Sequence, residues 1–319
     1  MRILVVGGTG HIGSYLVPRL ALAGHSVHVV ARTPEPRYGR SRLGWQNVEW
    51  IVADRRLEEK DGSFGKRMSG IDADVVVDTI SFTAEQNRMM VDAFAGRVQL
   101  FIHIGSIWVY GPTRTPPTRE CDARRPLGPY GQGKMEIEKA LLSAWRTNGF
   151  PATIVHPGHI SGIGWLPIDP QGTRNGTGVY QKLARGETVH LPGMGLGMLH
   201  HVHADDIAAM CMRMIDARES AVGESFNCVS PQAMTLVACC EYVAALFGRE
   251  PKLEFVSQSE MAKHIGQQAA DAQESHVAHS SCCSIEKARR LLGWEPRYTS
   301  QDIFREFVET SLAHGELEA

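Results

Sequence analysis

Short apolar runs alternate with longer segments whose apolar positions recur every three or four residues, and this rhythm organises the first half of the chain. Residues 1–6 form an apolar run rich in β-branched side chains, the pattern of a buried strand. Residues 12–23 have helical spacing and stop at Gly24, and 26–31 predict a second strand. Further strands are predicted over 48–53, 74–79, 99–104 and 152–156, with a helix over 84–95. Strands that alternate with helices predict an α/β fold, a doubly wound parallel sheet of Rossmann type.

After residue 157 the texture changes. Residues 158–178 are rich in Gly and Pro and carry Trp165, Asp169 and Arg174, which predicts a long functional loop. A second flexible loop is expected at 193–197. Helices are then predicted over 204–217 and 236–247, and strands over 225–229 and 253–256. Residues 261–281 are polar and read as a helix over the cleft or as a mobile segment, and 284–312 read as two helices. The division that follows is a nucleotide-binding part, 1–156 with a return segment near 201–230, and a smaller α/β substrate-binding region, 157–319.

The first strand runs straight into Gly7-Gly8-Thr9-Gly10-His11-Ile12-Gly13, and a helix follows. Strand, glycine turn, helix and strand within about thirty residues are the setting a dinucleotide fingerprint requires. Gly7 permits the tight turn, Gly10 a close approach to a pyrophosphate, and Gly13 close helix–sheet packing. The helix N-terminus, with Thr9, His11 and Ile12 beside it, faces the negative charge. The second strand ends in Arg32, where NAD sites usually carry an acid. An arginine there suits a 2′-phosphate, with Arg37, Arg40 and Arg42 adding positive charge, so NADP is favoured over NAD. Ligands of such sheets sit beyond the strand C-termini, where Gly7, Asp54, Ile80, Ser106 and Pro157 fall.

Tyr130 and Lys134 stand four residues apart, so a helix puts phenol and amine on one face. A nearby cation favours the phenolate and brings tyrosine into range for proton transfer with an alcohol. Ser106 offers a hydroxyl to hold the reacting oxygen.

Composition narrows the partners. The chain has 319 residues, 43% hydrophobic and 21% charged, with a formal net charge of −2. Nothing there predicts a nucleic-acid partner, and no apolar run reaches the length of a membrane span. The apolar start, 1–6, is too short for a signal peptide, and seven cysteines without a Cys-x-x-Cys pair point to thiols in a reducing cytoplasm. His200, His201 and His203 lack the further ligands a metal would need, and Asp205 or Asp206 is the expected cap of the helix behind them.

Taken together, these motifs resemble the extended short-chain dehydrogenase/reductase group, the NAD-dependent epimerase/dehydratase family. The glycine turn, Ser106-Ile-Trp-Val-Tyr-Gly111, Tyr130-x-x-x-Lys134, the stretch 202–208 and Leu292-Gly-Trp-x-Pro296 carry the resemblance over nearly the whole chain. The resemblance implies that Gly7, Gly10 and Gly13 cradle the pyrophosphate and that Asp54 binds the adenine amine. It implies that Ser106 holds the substrate oxygen, Tyr130 moves its proton, and Lys134 binds the nicotinamide ribose and lowers the Tyr130 pKa. Pro157 would lie near the nicotinamide, and a homodimer would form through the helix bearing Tyr130, where Met135, Ile137, Leu141 and Leu142 are apolar.

Two departures bear on substrate. Dehydratases of the group carry an acidic pair after the serine or threonine, where this chain has Ile107 and Trp108. Nucleotide-sugar enzymes commonly place an arginine where this chain has Leu199. Both favour a smaller or less charged ligand against an apolar wall. The expected activity is oxidation or epimerisation at a secondary alcohol, or reduction of the ketone, of a sugar-like small molecule. The alternatives are a reductase of aromatic or steroid-like ketones, drawing on Ile107, Trp108 and Trp165, and a non-catalytic nucleotide-sensing or RNA-associated protein.

Overall fold

The computed structural model describes residues 1–36 and 43–318. Its centre is strand β1, Arg2–Val6, whose side chains from Ile3 onward are all buried. Strand geometry sends alternate side chains to opposite faces. Ile3 and Val5 therefore join one cluster with Leu16 and Leu20 of helix α1 (Gly13–Leu22) and Met210 of the helix Ala204–Asp216. Leu4 and Val6 join another with Phe64, Met90, Phe94 and Ile137. At about 1.5–3 kcal/mol for each large apolar side chain fully buried, these two faces dominate the stability of the sheet.

The remaining strands of the first half are β2 (Ser26–Ala31), β3 (Val48–Val52), β4 (Val75–Asp78), β5 (Leu100–Ile104) and β6 (Ala152–Pro157). With Ser225–Cys228 they make a seven-stranded parallel sheet, ordered Ser225–Cys228, β6, β5, β4, β1, β2, β3. The order reverses between β1 and β4, and the crevice at that switch point is where such sheets bind ligands. The strand Ser225–Cys228 brings its segment back to the nucleotide-binding part by pairing with β6.

A third apolar cluster, including Tyr180, Leu183, Val189, Leu236, Val243 and Phe304, forms the core of the C-terminal region. Around it stand the helices Gly178–Arg185, Leu236–Leu246 and Ser300–Ala313 and the parallel pair Thr188–Pro192 and Lys252–Val256. Residues 261–281 hold the helices Met261–Ile265 and Gln267–His279, the second lying over the cleft. The loop expected over 158–178 contains a short strand, His159–Ser161, paired with His201–His203.

Several local expectations are corrected. The cap of Ala204–Asp216 is His203, whose Nδ1 accepts the Asp205 N–H at 3.1 Å. Asp205 instead meets Arg19 at 2.5 Å, and Asp206 accepts the backbone N–H groups of Arg297 and Tyr298. Three histidines that look like ligands in the sequence serve the fold: His200 on Ser230, His201 on Ile168 and His203 on Glu306. On the helix Gly128–Asn148, Ile137 and Leu141 are core residues, whereas Met135 and Leu142 are half-buried.

Candidate active site

Gly7, Gly10, His11, Ile12, Ile80, Ser106, Tyr130, Lys134 and Pro157 line one cleft of about 560 Å³. Its floor is the ends of β1, β4, β5 and β6, so the parallel sheet itself delivers them. Gly7 turns the chain at φ +83°, a conformation that favours glycine, and a β-carbon there would come within 2.4 Å of the Thr79 hydroxyl. A β-carbon on Gly10 would meet only the Gly7 carbonyl, at 3.1 Å, and otherwise project into open space. On Gly13 it would lie 2.0 Å from the Gly8 carbonyl oxygen, so this glycine serves helix packing and does not line the cleft. Among the described residues no side chain caps α1, and its first turn has no acid. That leaves a positive helix end facing the cleft, a fit for a pyrophosphate.

The other expected cofactor residues stand outside the cleft lining. Thr9 is half-buried, and Arg32 is exposed at the end of β2. Asp54 caps the helix Arg55–Lys60, its Oδ1 accepting from Arg56 N at 3.0 Å and Leu57 N at 3.4 Å. Arg37, Arg40 and Arg42 lie outside the described residues.

Ser106 follows β5 by two residues, in extended geometry, and is buried. Its Oγ accepts the Trp108 N–H at 3.2 Å, and it lines the same cleft as the Tyr130 phenol. Tyr130 enters the cleft from the first turn of Gly128–Asn148, where Gly131 packs so tightly that a β-carbon would sit 2.8 Å from the Trp108 carbonyl. Burial pushes the phenol above its ordinary pKa, and the nearby Ser106 hydroxyl pulls the other way.

Lys134 is held at the cleft floor. Its ammonium donates to the backbone carbonyls of Ser81 and Ile104, both at 2.7 Å, and lies 4.8 Å from the Phe82 ring centre. Burial lowers its pKa to about 8, with the Asp78 carboxylate opposing and Arg55 adding to the fall.

The substrate side is walled by Trp108, His159, Trp165, Arg174 and His276. Ile107, expected beside Trp108, is instead buried in the core. Trp108 stacks on His279 at 3.8 Å and meets His276 edge-on at 5.6 Å, so Gln267–His279 closes this end. Burial holds His159 well below the usual imidazole range and brings His276 to about 4, leaving both neutral at neutral pH. Arg174 donates to the Ile160 carbonyl at 3.2 Å and lies 5.4 Å from the Trp165 ring centre. His159 and His276 were not legible as site residues, because only the tertiary fold brings their segments together.

A glycine turn at a sheet switch point, facing a serine–tyrosine–lysine set, defines a nucleotide-dependent α/β protein. The chain belongs to the NAD dependent epimerase/dehydratase family, whose profile matches residues 3–228. It is 26% identical over 304 residues to the chloroplast stem-loop binding protein of 41 kDa b of Arabidopsis thaliana, covering 93% of this chain and 75% of that one. It is 26% identical to the 2'-dehydrokanamycin reductase of Streptomyces kanamyceticus, covering 78% of this chain and 67% of that protein. Its fold matches that of a dTDP-glucose 4,6-dehydratase from Bacillus anthracis, solved in complex with NAD, with a TM-score of 0.74 at 18% identity over 99% of this chain and 98% of that one.

Proposed function

We propose that the protein is an NAD(P)-dependent oxidoreductase or epimerase acting on a secondary alcohol or ketone of a sugar-like small molecule. The observation that carries this reading is that Ser106, Tyr130 and Lys134 line one cleft whose other wall is the Gly7–Gly10 turn. Bound nicotinamide supplies or accepts the hydride. Ser106 holds the substrate oxygen by its hydroxyl, and Tyr130 gives that oxygen a proton in reduction or takes one in oxidation. Lys134 stands within the same cleft to bind the nicotinamide ribose. The uncapped N-terminus of α1 and the space at Gly10 suit the pyrophosphate. Arg32, exposed beyond β2, favours NADP over NAD.

Trp108, Trp165 and the neutral His159 and His276 give the substrate side an aromatic character, which supports a reductase of aromatic ketones as the second reading. A screen of keto-sugars and polyols against aryl ketones, followed by NADPH absorbance, separates the two. Turnover confined to aryl ketones would replace the first reading with the second. Nucleotide that stays with the protein through gel filtration indicates epimerisation, and nucleotide that washes out indicates net redox. The name of the Arabidopsis relative suggests RNA, against which stand the net charge of −2 and the retained Tyr130 and Lys134.

A further inference from the structure

Glu138 lies on the same helix as Tyr130 and Lys134, eight and four residues further on, and so on the same face. Its carboxylate is buried and saturated with donors. Oε1 accepts from Arg124 Nη2 and Ser225 Oγ, each at 2.6 Å, and Oε2 from Arg124 Nε at 2.9 Å. Burial pushes this carboxyl up, but the hydrogen bonds from Arg124 and His156 and the Arg124 charge outweigh it and hold it below the usual carboxylate range. The remaining partner of Oε1 is His156 Nε2, at 3.0 Å. An ionised carboxylate only accepts, so Nε2 carries the ring proton.

The other nitrogen of that ring then has a lone pair, and it is used. His156 Nδ1 accepts the backbone N–H of Ser106 at 3.2 Å. The imidazole lies directly against the loop, since a β-carbon on Gly105 would come within 2.5 Å of Nδ1. No side chain fits between them. Tyr130 is thus anchored on the same helix as the carboxylate that orients His156, and His156 holds the serine opposite the phenol.

We propose that His156 is a positioning residue for the Ser106–Tyr130 pair, its tautomer set by Glu138 and its Nδ1 clamping the Ser106 amide. The proposal rests on the reading of Ser106 and Tyr130 as the reacting pair. Without the clamp the Ser106 amide loses its acceptor, and the residue is free to turn its hydroxyl away from the phenol.

Two near-isosteric variants separate the two ends of the ring. His156→Asn places a carboxamide oxygen where Nδ1 was, and His156→Gln reaches toward Glu138 while losing the Ser106 contact. The readout is the titration of Tyr130 by NMR of isotope-labelled tyrosine, assigned with Tyr130→Phe. The Ser106 hydroxyl opposes the upward push of burial on this phenol, so Ser106→Ala should raise its titration. His156→Gln should reproduce that rise, and His156→Asn should stay near wild type. A purely structural role would lower both melting temperatures without separating the two titrations, and that result overturns the proposal. An unmoved Tyr130 in Ser106→Ala overturns it as well. Should His156→Gln not fold, Glu138→Leu takes the acceptor away from Nε2 and should give the same rise; no rise contradicts the proposal. The readout needs no substrate, so it remains decisive even if the turnover reading fails.

Discussion

Tyr130 and Lys134 stand one turn apart on a helix yet occupy different depths of the cleft. The tyrosine is 44% exposed at the mouth, whereas Lys134 is 2% exposed and bound to the Ser81 and Ile104 carbonyls. Although the residue as a whole is exposed, desolvation at the cleft raises the phenol above the pKa of a free tyrosine.

Lys134 gives the site a pH dependence with a defined sign. Burial brings its pKa down to about 8, so the ammonium proposed to bind the ribose is lost as pH rises through that value. NADPH affinity of the wild type should therefore fall between about pH 7 and about pH 9, well below where an ordinary lysine titrates. Lys134→Met should bind more weakly and without that fall. Calorimetric dissociation constants at the two pH values check it, and parallel profiles would exclude Lys134 from the cofactor site.

Two glycines of the same turn should fail in different ways. A methyl group on Gly13 would lie 2.0 Å from the Gly8 carbonyl oxygen, so Gly13→Ala should cost about 1–3 kcal/mol of stability. A methyl group on Gly10 meets only the Gly7 carbonyl, at 3.1 Å, so Gly10→Ala should stay within about 1 kcal/mol of wild type. It should nevertheless weaken NADPH about tenfold or more by filling the approach to the turn. Thermal melting and a binding titration on both variants provide the comparison.

Arg32 carries the proposed cofactor preference. Arg32→Ser should weaken NADP about tenfold and leave NAD nearly unchanged, because only the 2′-phosphate loses its partner. Equal losses for both nucleotides would mean that the guanidinium stacks on the adenine, and a wild type that binds NAD tenfold tighter would remove the preference altogether.

The parts of this molecule that were legible in the chain are those whose physics is local. The apolar run at 1–6, the glycine turn and the helical spacing after it sit in the structure as β1, the turn and α1. Strand ends were legible too, which is why Gly7, Ile80, Ser106 and Pro157 meet in one cleft. What escaped depends on contacts between distant segments. Asp205 and Asp206 look like caps, but Arg19 and the 297–298 backbone claim them, leaving the cap to His203. The spacing of Tyr130 and Lys134 places both on one helix face and says nothing of depth, and depth decides which charge each feels. The helices Arg55–Lys60 and Ser63–Ser69 are too short and polar to show a clear apolar period, and they form because Phe64 and Met68 find the sheet.

The central claim is that Tyr130 moves the proton while the nicotinamide moves the hydride. The direct measurement is NADPH oxidation by wild type and Tyr130→Phe with the best ketone from the substrate screen, beside NADPH binding to both. The expected result is a loss of turnover of about a hundredfold or more with the dissociation constant within a few-fold. Turnover retained in Tyr130→Phe, with cofactor bound equally well, would contradict it.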